Sequence, residues 1–234
     1  MNKLVIAALI FGTIVGCSGK AEKRILVFSK TEGFYHEVIP KGIEAIQKLG
    51  ALNGIEVDTT KDASWFTDEN LKKYSAVIFF NTTGDVLNHY QQADFERYIQ
   101  AGGGYVGVHS AADTEYDWPW YNHLVGAYFN GHPKRQNAKI QVLNTNHEST
   151  KRMSETWVRF DEWYNYRDMN KDVTVLMNLD ETTCEGGTNG KKHPIAWYHE
   201  YDGGKSFYTG GGHTDASYEE PLFLQHILGG INYV

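Results

Sequence analysis

Three short, unbroken apolar runs do most to limit what this chain can fold into. Residues 25–28 (Ile-Leu-Val-Phe), 76–80 (Ala-Val-Ile-Phe-Phe) and 105–108 (Tyr-Val-Gly-Val) offer no polar side chain to water on either face. A strand with one wet face alternates, so such runs read as strands covered on both sides, as in a parallel sheet between helical layers. The segments between them supply the helices. Ile39, Ile43 and Ile46 recur at helical spacing, with Gly50 as a stop, and Phe95, Tyr98 and Ile99 precede Gly102-Gly103-Gly104. Thr67-Asp68-Glu69 reads as a helix start, with a hydroxyl cap and two acids at the positive end. Ile55-Glu56-Val57 adds a short strand. The second half differs: residues 140–143, 157–160, 173–177, 195–201 and 206–208 read as strands with little helix between them. Leu224, Ile227, Leu228 and Ile231 then form a closing helix at i, i+3, i+4 and i+7. No repeat, linker or low-complexity stretch divides this body, so residues 24–234 are expected to form one α/β domain.

The first residues read as an address. Lys3 is followed by an apolar run over residues 4–14, too short to span a bilayer and suited to a signal segment. Ile14-Val15-Gly16-Cys17 then matches a bacterial lipoprotein cleavage pattern. The expectation is a signal peptide over 1–16, a lipid on Cys17 and a short tether over 17–23. That makes an exported lipoprotein, on the periplasmic side or the outer membrane, touching membrane through its anchor alone. Two cysteines exclude a disulfide scaffold, and Cys184 sits in a turn-rich loop with no activating base beside it. A net charge of −7 argues against nucleic acid as a partner.

In a parallel sheet, ligands bind beyond the carboxyl ends of the strands. Here those ends carry polar residues: 29–37 with His36 and Glu37, 81–85 with Thr82 and Gly84, 109–113 with His109 and Asp113, and 209–214 with His213. His109 follows a strand and precedes small residues, the elbow geometry used to present a reactive side chain. His132 lies in Asn130-Gly131-His132-Pro133. Asp161 and Glu162 point to opposite faces of a strand, so only one enters a pocket, and Glu162 has the longer reach. Trp118 and Trp120 offer faces for sugar stacking, whereas Trp197, on a strand, reads as core.

Seven motifs in order now carry a resemblance. They are Thr31-Glu32-Gly33-Phe34-Tyr35-His36, residues 102–109 with Asp113, Trp118-Pro119-Trp120-Tyr121, Gly126 through Gly131-His132-Pro133, Asp161-Glu162-Trp163-Tyr164, His193-Pro194 with Trp197, and Gly211-Gly212-His213-Thr214. Together they resemble the ThuA-like (trehalose utilisation) family, colinearly over residues 24–234. The resemblance implies a flavodoxin-like, class I glutamine amidotransferase-like three-layer sandwich with a mostly parallel central sheet. His109 stands at the elbow where an amidotransferase holds its Cys, so that chemistry is not expected. The resemblance also implies a role in sugar catabolism beside oxidoreductases that make 3-keto-sugars. Tyr35, Lys205 and Glu148 depart from the family pattern, and Lys205 in place of Arg cannot grip an anion bidentately.

The leading expectation is an enzyme that moves a proton next to a carbonyl of a sugar or 3-keto-glycoside, as an isomerase or a lyase/hydratase. His109 and His213 would serve as base and acid, with Asp113 or Glu162 orienting one ring. His36, Glu37, Thr82, Gly84, Trp120, His132, Tyr164 and Lys205 would bind substrate. That reading requires no cofactor. Two alternatives stay open. One is a metal-dependent sugar hydrolase with a divalent ion on the His and carboxylate groups, although no His-Glu-x-x-His spacing is present. The other is a non-catalytic glycan-binding lipoprotein.

Overall fold

Buried strands and amphipathic helices alternate through the first half of the computed structural model, which describes residues 23–234. The leader, Cys17 and most of the tether therefore lie outside the described residues. In chain order the elements are β1 (Lys23–Phe28), α1 (Ile39–Asn53), β2 (Ile55–Thr60), α2 (Asp68–Leu71), β3 (Ala76–Phe80), α3 (His89–Gln100), β4 (Gly104–Val108), α4 (Pro119–Val125) and β5 (Tyr128–Phe129). There follow β6 (Gln136–Val142), β7 (Thr156–Asp161), β8 (Tyr166–Arg167), β9 (Thr174–Asp180), β10 (Pro194–Tyr201), β11 (Gly204–Thr209) and α5 (Pro221–Tyr233).

The main sheet has nine strands in the order β2-β1-β3-β4-β11-β10-β9-β6-β7, and β5 pairs with β8 separately. From β2 to β11 every pairing is parallel. From β11 outward every pairing is antiparallel. The three apolar runs are the central parallel strands, and β3 and β4 are buried at every position. Phe28, Phe66, Phe79 and Phe95 interlock above them, with ring centroids 4.5–5.8 Å apart. Each pair adds to stability beyond its buried area.

Local signals mostly act as expected. Thr67 Oγ1 accepts from the Asn70 amide and opens α2. Asn88 and Gln91 close a reciprocal cap at the start of α3. Gly50 does not stop α1, which runs on to Asn53 and is capped by Gly54 at φ 67°. Gly50 serves packing instead: a Cβ there would lie 2.4 Å from Val57 Cγ2, so its absence lets the helix close onto β2. The elbow after β4 leads into a 3-10 turn over His109–Asp113, not directly into a helix.

Alternating orientation along the antiparallel arm points β7 the same way as β4 and β11, so its last residue reaches the same sheet edge. A flat sheet would leave β7 four strands from β11, about 19 Å away at the usual spacing. Yet the Asp161 carboxylate at the end of β7 accepts from the Gly212 amide beyond β11 at 2.8 Å. The arm therefore curls back over α5 and brings Glu162 to the edge where the parallel strands end.

Candidate functional site

Four side chains from four strand ends meet at this edge. His109 leaves β4 in the left-handed region, at φ 52°, and is fully buried. Non-glycine residues seldom adopt that conformation, which is a mark of backbone held for a purpose. Its Nδ1 donates to the Gly210 carbonyl at 2.9 Å. That fixes the tautomer and leaves a lone pair on Nε2. Nε2 faces His213 Nδ1 at 3.2 Å and Glu162 Oε2 at 3.4 Å. Glu162 Oε2 also lies 3.0 Å from His213 Nδ1. His36, from the loop after β1, sets its ring 5.0 Å from that of His109 and 5.1 Å from that of His213. Its Nδ1 lies 3.4 Å from the Ser110 hydroxyl. His213 reaches in because the turn before it is glycine: a Cβ on Gly211 would sit 2.5 Å from Arg159 Nη1.

With the His109 and His213 rings neutral, hydrogen bonding alone does not satisfy this arrangement. His109 Nε2 and Glu162 Oε2 are both acceptors and face each other, and the single proton on His213 Nδ1 serves one of them. A divalent cation resolves the conflict, since all three atoms then direct lone pairs at it. Tetrahedral ligation at about 2.0–2.1 Å puts neighbouring donor atoms about 3.3 Å apart. The three contacts of 3.0, 3.2 and 3.4 Å bracket that value. One ligand atom from each of His36, His109, Glu162 and His213 falls within 4.8 Å of the others. The hydrogen bond from His109 Nδ1 to a backbone carbonyl is the support metal-binding imidazoles usually have.

The electrostatics agree. Burial would push the Glu162 carboxyl up, but its close contacts with the His109 and His213 rings hold it well below the usual carboxylate range. Burial, reinforced by the nearby His109 and His213 rings, lowers His36 to about 3, so it presents a neutral ring. Asp113 is raised by burial, partly offset by a hydrogen bond from the Tyr116 hydroxyl.

A cleft of about 440 Å³ opens over the cluster, lined by Phe34, Asp113, Phe129, His132, Arg135 and Tyr164 together with His36, Glu162 and His213. That is within the range of small-molecule sites. Tyr164 backs His109 with ring centroids 4.2 Å apart, and Phe129 packs against Tyr164 at 4.3 Å with its ring tilted by 51°. His132 sits at the rim, its Nδ1 3.3 Å from Glu162 Oε1 while also donating to the Pro133 carbonyl.

Of the residues expected from sequence, His36, His109, Asp113, His132, Glu162, Tyr164 and His213 converge. The others lie elsewhere. Thr82 is fully buried against Thr114 Oγ1 at 2.8 Å. Gly84 packs on Glu32 and Gly33, so the 81–84 turn braces the loop carrying His36. Glu37 is exposed ahead of α1. Trp120 donates to Asp202 in the β10–β11 turn, and Lys205 opens β11 beside Tyr233. Both sit at the amino end of β11, about 17–20 Å from the site at the usual rise per residue. Trp197 is core, donating to the Val125 carbonyl. Asp161 is buried beneath the cluster, as the opposite-face argument requires. Phe34, Phe129 and Arg135 were not singled out as site residues; a single loop aromatic or arginine carries no periodic signal.

Comparison with known proteins now decides the family. The model of the ThuA family, described as trehalose utilisation, matches residues 24–234. The chain belongs to the ThuA family. Its fold is shared by a ThuA-like protein from Bacteroides uniformis ATCC 8492, with 24% identity, TM-score 0.77 and 91% of each chain covered. A second ThuA-like protein, from Parabacteroides merdae ATCC 43184, has 19% identity and TM-score 0.75, covering 90% of this chain and 89% of its own. A β-galactosidase from Bacillus circulans sp. alkalophilus matches at TM-score 0.60 and 12% identity, over 91% of this chain and 31% of that enzyme. At these identities the likeness concerns the fold. No curated protein sequence matches the chain. The ThuA assignment bears out the family and the α/β flavodoxin-like architecture read from the motifs.

Proposed function

We propose that this ThuA-family chain is an enzyme of carbohydrate catabolism. In this reading one divalent metal ion sits on His36, His109, Glu162 and His213, and the substrate is a sugar or 3-keto-glycoside. The observation that carries it is the facing of imidazole and carboxylate lone pairs at ligand spacing, beneath a cleft of small-molecule size. The ion would polarise a carbonyl or hydroxyl oxygen of the substrate.

The protein's own groups supply the rest. Phe34 and Phe129 give apolar faces to the C–H side of a sugar ring. His132 and Arg135 reach its oxygens from the rim. Asp113, raised by burial and open to the cleft, takes the proton from the carbon beside a carbonyl and returns it to the neighbouring carbon. His109, the base of the sequence reading, faces the cluster and does not line the cleft, so here it acts as a ligand. The same proton abstraction serves isomerisation, or elimination where a leaving group stands one carbon further on. Sugar oxidoreductases would supply the keto-sugar, and the lipid on Cys17 would hold the enzyme at a membrane. Cys17→Ser is then expected to release the protein from the membrane fraction.

Proton NMR with a 3-keto-glucoside in D₂O tests the activity. The expected result is deuterium at the carbon beside the carbonyl, or a new product, lost on chelation and restored by added metal. The absence of both exchange and product would remove the enzyme reading and favour glycan binding.

A further inference from the structure

Beneath the cluster lies a buried polar group that the proposed chemistry does not use. Asp161 is fully buried, and every polar contact of its carboxylate runs to the segments that carry Glu162 and His213 or to their support. Oδ1 accepts from the Glu162 amide at 2.9 Å and from the His213 amide at 3.0 Å. Oδ2 accepts from the Gly212 amide at 2.8 Å and the Ser217 hydroxyl at 3.1 Å. Arg159 Nη2 stands 3.2 Å from Oδ2 and also donates to Ser217 Oγ at 2.8 Å. Arg159 is held in turn by Glu220 at 3.2 Å and by the rings of Trp157 and Phe223, 4.7 and 4.4 Å away.

We infer that Asp161 is a positioning residue that sets the distance and direction between Glu162 and His213. One carboxylate oxygen receives the backbone amides of both, so the two side chains start from a shared anchor although they belong to strands four places apart in the sheet. Without that anchor nothing else among the described residues joins the end of β7 to the turn after β11 at backbone level. Buried charge is costly unless fully hydrogen-bonded, and this one is, which suits an anchor for a site requiring sub-ångström placement. The inference rests on the metal reading of the cluster.

Cobalt(II) is the probe, because its visible absorption is intense in tetrahedral sites and weak in six-coordinate ones. Titration of the unaltered chain is expected to give one equivalent and an intense band. Asp161→Asn keeps the size but turns one acceptor into a donor against Gly212, Ser217 and Arg159. It is expected to lower cobalt affinity ten- to hundredfold, the usual effect of losing support outside the ligand shell, and to dim the band. Ser217→Ala, which removes one donor to Asp161 and no ligand, is expected to weaken affinity about two- to tenfold, the effect of one lost hydrogen bond, and keeps the idea testable if Asp161→Asn does not fold. Affinity and spectrum unchanged in both variants would overturn the inference while leaving the metal reading intact. An unaltered chain that takes up no cobalt would instead sink the metal reading. In that case imidazole ¹⁵N spectra of the metal-free protein decide: the ring signals of His213 are expected to move in Asp161→Asn, and signals that stay in place overturn the anchor.

Discussion

The two halves of the sheet contribute to one site by different routes. In the parallel half, β4 runs straight into His109 and the loop after β1 carries His36, and the topology delivers both to one edge. In the antiparallel half, β7 reaches that edge only because the arm alternates direction and then curls, and Glu162 arrives through a buried clasp at Asp161. β11 is the hinge between the regimes, parallel to β4 and antiparallel to β10, and His213 follows it. The difference teaches that direction of strands places side chains coarsely, while a specific buried hydrogen-bond network places them finely. The first is expected to survive single substitutions and the second is not.

The largest effect should come from striking the contribution of the curled arm. Glu162→Gln removes the only anionic member of the proposed ligand set, and a loss of metal and of turnover larger than the roughly 10–100-fold typical of changes outside the ligand shell is expected. Metal content and turnover measured on the same preparation check it, and full metal occupancy in this variant would detach Glu162 from the site. Phe79→Ala strikes the parallel half instead. It empties part of a buried aromatic cluster, so a stability loss of about 3–5 kcal/mol is expected in denaturant unfolding, with metal affinity of the folded fraction nearly unchanged. Equal damage to both properties would mean that the halves are not separable.

The contrast between the halves also marks how far a reader of the chain alone can go. The apolar runs at 25–28, 76–80 and 105–108 announce their strands because both faces are covered, and the loops after them are then the place to look. His36, His109 and His213 follow from that argument. Glu162 follows only in part. Period two shows that one of Asp161 and Glu162 enters the pocket, but not that the other clasps the turn after β11, because that contact spans four strands of curl with no local signal. Lys205 and Trp120 show the opposite failure: a motif position says nothing about which end of a strand it occupies.

A smaller effect concerns pH. His36 is lowered from its model-peptide value of 6.5 to about 3. Between those values the unfolded chain binds a proton that the folded chain does not. Its contribution to stability is therefore present above pH 6.5 and is lost as pH falls toward about 3. Glu162, held below its usual range, adds to the loss in the same direction below about pH 4.5. Urea midpoints of metal-free protein should fall across this window, and His36→Gln should flatten the upper part of the slope. An unchanged slope would place His36 outside the buried cluster. Least affected should be the antiparallel periphery. Cys184 is partly exposed, with burial, Glu181 and Asp180 pushing its thiol up, which makes it a poor nucleophile. Cys184→Ser is expected to keep turnover within about twofold.

The central claim is that strand ends from both halves converge to ligate one ion. Zinc-edge X-ray absorption on protein loaded with one equivalent of zinc tests it most directly. The account predicts three imidazole nitrogens and one carboxylate oxygen at about 2.0–2.1 Å, with one imidazole lost in His109→Ala and the oxygen lost in Glu162→Gln. Zinc uptake below about a tenth of an equivalent, or a shell indifferent to both substitutions, would contradict it.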